Sequence, residues 1–262
     1  MQTKHLRSWR SFEEQLNNLQ GVSVFDGLPG TNYLFRGQSN ADWDLITTLE
    51  RHYPDWTWRR YLRAVRSVAP TIETMTNRHW DLPPYAETTE WGSSFDDGLQ
   101  MIPGYDFWVY LRHHGFPSPL LDWSRSPYVA AFFAFRYPSA KRVSIFCYQE
   151  TPTGGKSSGS NRPVIHTHGP FVRSHPRHVL QQGEYTTCST LEGGQWQYTK
   201  HSDVFALNDP DQDRLWKFTL PATERAAVLK HLNKYNLNAY SLFATEEALL
   251  ETLALDHMAR DL

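Results

Sequence analysis

The stretch from Ser126 to Phe135 constrains the fold of this chain more than any other. Proline directly after serine suits a helix start, because the first helical position has no use for the N–H that proline lacks. Ser126 itself reads as the N-cap. Tyr128, Ala131, Phe132 and Phe135 then recur at i, i+3, i+4 and i+7, which predicts a helix buried along one side. Such a helix needs apolar cover, and at 40% hydrophobic and 14% aromatic residues the chain can supply it. Just upstream, Asp122 stands between Leu121 and Trp123, an awkward place for a charge unless it is paired. Arg36 and His114 are candidate partners; a structural cap through Asp122 or Ser124 is the alternative.

Elsewhere the pattern alternates short strands with separate helices. Ser11 and Glu14 have capping-box spacing, with Phe12, Leu16 and Leu19 on one stripe behind them. Asn32 to Arg36 reads as a strand running into a turn at Gly37, which would leave Arg36 exposed and of little weight for stability. Trp58, Tyr61, Leu62 and Val65 predict a helix ended by Pro70. Residues 83–106 are acidic and rich in Gly and Pro, and read as a surface loop or a docking surface for a basic partner. Val143, Ile145 and Cys147 alternate with Ser144, Phe146 and Tyr148 as a strand. Residues 151–162 read as a loop and Leu215 to Leu220 as a strand. Glu224 to Tyr235 reads as a helix with Ala227, Val228 and Leu232 inward, and Tyr240 to Phe243 as a short strand. Thr245 would cap a last helix running to Ala254. No regular strand–helix alternation is present, so the class is α+β, taken as one domain over 1–262 with 1–29 as a helical extension.

Several classes of function drop out. Net charge is −2, so the molecule as a whole is not an obvious polyanion binder, although average charge hides local patches. Cys147 and Cys188 have no CxxC spacing, which offers neither a disulfide framework nor a thiol zinc site. His166 and His168, with His175 and His178, lack a Cys or carboxylate beside them, so no metal is expected. Gly154-Gly155-Lys156-Ser157 lacks the first glycine of a P-loop, since Glu150 occupies that position. The first residues, MQTKHLRSWRSFEEQL, carry no apolar run, and no stretch approaches a membrane span, so the cytoplasm is the expected location and no membrane contact is expected.

Three segments carry a resemblance. They are Phe35-Arg36-Gly37-Gln38-Ser39, the long element from His113-His114-Gly115 through Leu120-Leu121-Asp122-Trp123-Ser124 to Ser126-Pro127, and Arg177 to Thr186. Together with a closing stretch from Phe218 to Phe243 they resemble the FRG-domain family over roughly residues 30–250. Ser118 stands where the family usually has Thr, and Tyr185 where it has Phe. That family is in turn distantly similar to the ADP-ribosyltransferase superfamily, including its toxin-type members. The resemblance implies a mixed or antiparallel β core flanked by helices, with NAD as co-substrate. Arg36 would be the NAD-gripping element, Ser124 and the helix after it the second element, and Gln181 to Glu184 the third.

The residue chemistry fits those roles, though each has a plainer reading. Arg36 has a planar fork for phosphate or ribose, or else makes an ion pair; Gly37 would let the backbone approach the ligand, with Gln38 beside it. Neutral imidazoles of His113 and His114 can hydrogen-bond the ribose or the nicotinamide amide. Asp122, Gln182 and Glu184 are the candidate catalysts with Arg36, Gln182 and Glu184 sharing one face of an alternating strand opposite Gln181. From Thr151 to Gly183 there is no acid, while Lys156, Arg162, Arg173 and Arg177 are present, which suggests a phosphate-tracking segment or a solvated loop. The implied activity is a toxin-type transfer of ADP-ribose from NAD to a nucleic acid, RNA first. Such a toxin would have an antitoxin partner, with a place in toxin–antitoxin or anti-phage defence. A protein acceptor and a non-catalytic module for ADP-ribose or nucleotide are the alternatives.

Overall fold

The computed structural model describes residues 1–20, 33–82, 104–153, 155–156, 161–170, 172–173, 176–193 and 195–258. Among them eight strands form one mixed sheet: β1 (Gln2–His5), β2 (Tyr33–Gln38), β3 (Leu121–Ser124), β4 (Arg142–Gln149), β5 (Pro163–His168), β6 (Gly183–Glu192), β7 (Gln195–Tyr198) and β8 (Arg214–Pro221). The order is β1-β8-β4-β2-β3-β6-β5, with β7 also paired to β6. Every pair is antiparallel except β1 with β8.

Helices flank this sheet. In chain order they are α1 (Trp9–Gln20), α2 (Thr48–His52), α3 (Trp58–Thr76), α4 (Tyr105–His113), α5 (Pro127–Arg136), α6 (Pro176–Leu180), α7 (His201–Ala206), α8 (Arg225–Asn233), α9 (Ala239–Phe243) and α10 (Glu246–Met258). The helix after Ser126 is α5, and the Ser126 side chain accepts from the Val129 N–H as a cap should. It is buried more fully than one stripe requires: Val129, Ala130, Ala131, Phe132, Ala134 and Phe135 are all inside, while Tyr128 is 39% exposed. Phe12 of α1, Phe35 of β2, Ile145 of β4, Phe218 of β8 and Val228 of α8 share that core. Leu34, Trp123, Phe146, Tyr148 and Cys188 form a second core, with Val204 and Phe205 of α7 upon it. β4 alternates as expected, but both of its faces are covered. A third cluster joins α3 to α4 through Tyr61, Val65, Phe107 and Trp108.

Gly37 lies inside β2 and not in a turn, paired opposite Ile145. A Cβ there would sit 1.9 Å from the Ala130 carbonyl oxygen, so the glycine exists to let α5 cross the strand. The close approach predicted at this position is made by a helix of the same chain.

Other expectations change with context. α1 begins earlier than the Ser11–Glu14 pattern predicts, because Ser8 Oγ takes the Ser11 N–H at 3.3 Å. α3 continues through Pro70 to Thr76, since its buried stripe runs on from Tyr61 and Val65 to Ala69 and the proline faces outward. Tyr240 to Phe243 is helical, capped by Asn238, whose side chain accepts from the Ser241 N–H. On α8 it is Leu229, not Ala227, that joins Val228 and Leu232 inside. Thr245 does cap the last helix, which runs on to Met258. Asp106 stands in the first turn of α4, and residues 83–103 of the acidic segment lie outside the described residues. No helix among the described residues is long and apolar enough to cross a membrane.

Candidate binding cavity

β2 and β3 share one paired position, Phe35 opposite Ser124, so Arg36, Gly37 and Gln38 have no ladder partner on that side. A cavity of about 310 Å³ opens there, lined by both strands and by side chains from α2, α4, α5 and the α6–β6 turn. Its polar groups include Arg36, Arg51, Arg112, Asp122, Gln38 and His113. Its apolar wall comes from Phe35, Trp43, Phe133 and Tyr185.

The centre of the site is the Asp122 carboxylate. Arg36 Nη1 donates to Asp122 Oδ1, and to the Asp122 carbonyl oxygen at 2.8 Å. Arg112 Nη2 donates to the same Oδ1 at 2.6 Å. The Asp122 side chain is 44% exposed, and its Oδ2 accepts no hydrogen bond from the described residues. Desolvation opposes ionisation of this carboxyl, yet the guanidiniums of Arg112 and Arg36 outweigh it and hold the group well below the usual carboxylate range. Asp122 in turn raises Arg112. The site therefore keeps a permanent carboxylate between two permanent cations, with Arg51 as a third cation that lies over the Trp43 ring. Arg36 Nε, Arg112 Nε and the Oε1 of buried Gln38 have no hydrogen-bond partner among the described residues. These are the marks of a site organised for polar chemistry at some cost to itself.

Two further groups meet at the wall. Tyr185 Oη lies 2.8 Å from His113 Nε2 and 3.4 Å from His178 Nδ1. Burial pushes the Tyr185 hydroxyl above its ordinary range, and the Asp122 charge adds to this, so it stays protonated.

The sequence expectations divide sharply here. Arg36, Gly37, Gln38, His113, Asp122 and Ser124 all line the cavity. Ser124 Oγ is already committed, donating to the Gln181 carbonyl at 2.8 Å and accepting the Ser126 N–H at 3.0 Å. His114 is exposed and lies against the Tyr110 ring, away from the cavity. Gln182 does not share a strand with Glu184; it sits in a turn at φ 49°, and its neighbour Gln181 lines the cavity. Glu184 is buried opposite Trp123, outside the lining, with Arg125 Nε 3.5 Å from its carboxylate. Burial raises its carboxyl against the opposing pull of Arg125.

The acid-free segment is neutralised from a distance. Lys156, its side chain 15% exposed, contacts Asp213 at 2.7 Å and Glu150 at 3.2 Å. Arg162 is paired with Asp209. Both cations thus pair with acids of the fold itself. Arg177 lies over the Phe243 ring, while Arg173 is exposed. His166 and His168 bond the hydroxyls of Ser189 and Thr187. No group of three His, Cys, Asp or Glu among the described residues could hold a metal ion. Arg112, Arg51 and Trp43 carry no comparable signal in the sequence, although Arg112 directly precedes the His113-His114-Gly115 run.

Residues 31–142 match the FRG domain family. That stretch includes the Phe35-Arg36-Gly37 element, Arg112 and the whole His113 to Pro127 element, and ends before the Arg177 to Thr186 segment. No curated protein and no solved structure matches the chain.

Proposed function

We propose that the cavity binds NAD and that the chain is a toxin-type ADP-ribosyltransferase, with RNA as the acceptor. The carrying observation is the union, in one cavity, of three guanidiniums with one carboxylate whose Oδ2 takes no bond from the described residues. Strand order adds support. Arg36 on β2, Ser124 at the end of β3 and the Gln181–Glu184 segment that leads into β6 lie on neighbouring strands, so the three elements named by the resemblance are close together.

In this reading Arg51 and Trp43 at the rim take a phosphate and an aromatic base, and Gln38 Oε1 takes an amide N–H. The bond from the ribose C1′ to nicotinamide breaks, and nicotinamide leaves with the electron pair. Asp122 Oδ2 stabilises the positive charge left on the ribose, a role that needs a preorganised charge and no proton transfer. The acceptor atom then bonds to C1′ and gives up its proton, for which the His113–Tyr185 pair offers a relay.

The protein incubated with labelled NAD and separate RNA, DNA and protein fractions should release nicotinamide and label RNA. Absence of both NAD binding and nicotinamide release would sink the reading. One observation favours a binding module instead: Glu184, the carboxylate nearest to the superfamily's usual catalyst, lies outside the cavity. NAD or ADP-ribose that binds without any release of nicotinamide would establish that second reading.

A further inference from the structure

The outward side of α2 and α3 carries a second concentration of cations, of which Arg51 also lines the cavity. Between Arg51 and Ile72 five arginines stand against one acid, Asp55. On α3, Tyr61, Leu62, Val65 and Ala69 are buried, so the opposite side must face outward. Arg59 and Arg63, one turn apart, lie on that outward side with Arg60 next to them, and all three are exposed. Arg59 to Arg66 spans about 10 Å of helix axis.

Aromatic rings are interleaved with these cations. Tyr53 is 45% exposed and its ring centroid lies 5.1 Å from that of Trp56. The Arg60 guanidinium lies 5.2 Å from the Trp56 ring centre. Trp43, 43% exposed, lies under Arg51 at 6.0 Å. Since Trp43 and Arg51 also line the cavity, the surface continues into it.

We infer that this face binds single-stranded nucleic acid, its phosphates on Arg59, Arg60 and Arg63 and its bases on Tyr53 and Trp56. Alternating cations and flat rings suit such a strand, because every base has a face to stack and every nucleotide a charge to neutralise. An acidic protein would engage the cations but leave the rings without a matching partner. The strand so held points its next nucleotide past Arg51 and Trp43 to the cavity. This last step rests on the proposed activity of the cavity; binding by the α3 face does not.

The test uses the full chain, a fluorescent single-stranded oligonucleotide without NAD, and salt as the variable. The wild type should bind with an affinity that falls steeply with salt. Substituting Arg59, Arg60 and Arg63 together by Gln should weaken binding at least tenfold and flatten the log–log salt slope by about 0.7 for each phosphate that is no longer neutralised. Trp56→Ala should weaken oligonucleotide binding while leaving the salt slope unchanged. NAD binding should survive in the triple variant, which also reports that it is folded. Unchanged oligonucleotide affinity in the triple variant, or polyglutamate that binds as well as the oligonucleotide and is equally sensitive to Trp56→Ala, would overturn the inference. Oligonucleotide binding with no NAD binding would overturn the cavity reading alone. Parallel RNA and DNA oligonucleotides then show whether the ribose hydroxyl matters.

Discussion

Arg112 Nη2 and Asp122 Oδ1 lie 2.6 Å apart, joining α4 to β3 at the floor of the cavity. Arg36 reaches the same oxygen from β2, so one carboxylate fixes two guanidiniums from two other elements. Removing either arginine leaves a charge less than fully compensated in a partly enclosed place. Arg112→Gln should lower stability by roughly 1–3 kcal/mol, below the 3–5 typical of a wholly buried pair because solvent reaches Asp122. Arg36→Ala should cost about as much, contrary to the expectation for an exposed turn residue, because Arg36 is itself mostly buried and paired. Denaturant unfolding midpoints measure both; a wild-type midpoint in either variant would show that the pair is idle.

Gly37→Ala is a test of packing and not of ligand contact. The added methyl meets backbone, at 1.9 Å from the Ala130 oxygen and 2.6 Å from the Ala134 nitrogen, which cannot swing aside as a side chain would. The variant should lose about 3 kcal/mol or more, or fail to accumulate as folded protein. Gly115→Ala is the control: its φ is 83° but nothing lies within 4 Å, so only backbone strain of about 1 kcal/mol is added. Equal thermal stability of the two variants would refute the crossing of α5 over β2 as the reason for Gly37.

What can be read from sequence depends on how far apart the partners are. The α5 helix and its cap follow from adjacent residues, and both are legible. Asp122 between two apolar neighbours signals a need for a partner, and Arg36, one of the two candidates, is a partner. Arg112 is not legible as the second, since nothing local says that the last turn of α4 folds back onto β3. Lys156 reads as a free cation because Asp213 is 57 residues away. Gln182 fails differently. Strand alternation assumes that the strand has begun, whereas β6 starts at Gly183, and the turn before it gives Gln181 the cavity. The α3 arginines are in plain view, but helix periodicity draws attention to the buried stripe, and the exposed side carries no comparable signal.

Buried histidines give the fold a pH dependence. Desolvation pushes His166 down to about 3, with His168 and Lys156 adding to it, and His201 down to about 3, with Arg36 and His168 adding. His201 Nε2 lies 2.7 Å from Thr186 Oγ1, while its buried Nδ1 has no hydrogen-bond partner among the described residues, so a protonated ring would leave an N–H unpaired. The folded state thus holds both groups neutral where the unfolded chain would protonate near 6.5. Their contribution is fully present above about pH 6.5 and is lost as pH falls toward 3. Unfolding midpoints should therefore decline over that window, and His201→Gln should reduce the decline. A midpoint that stays flat from pH 7 to 4 would rule this out.

The sharpest test of the mechanism compares two carboxylates separated by one residue of the neighbouring strand register. Asp122 is paired opposite Tyr185 and lines the cavity; Glu184 is paired opposite Trp123 and does not. If charge on the ribose is stabilised by Asp122, then Asp122→Asn keeps the shape and removes the charge, and the rate of nicotinamide release should fall by roughly 10²–10³. Arg36 and Arg112 would then face a neutral amide, so tighter retention of an anionic ligand is also expected, and NAD affinity should hold or rise while turnover collapses. Glu184→Gln removes a carboxylate that is already buried and that pairs with Arg125. Its turnover should stay within about threefold of wild type, because a side chain outside the cavity has no direct contact with the ribose to strengthen in the transition state. The reverse pattern, with Glu184→Gln inactive and Asp122→Asn active, would transfer the catalytic role to the carboxylate of the third element. It would also require β6 to turn Glu184 into the cavity when NAD binds.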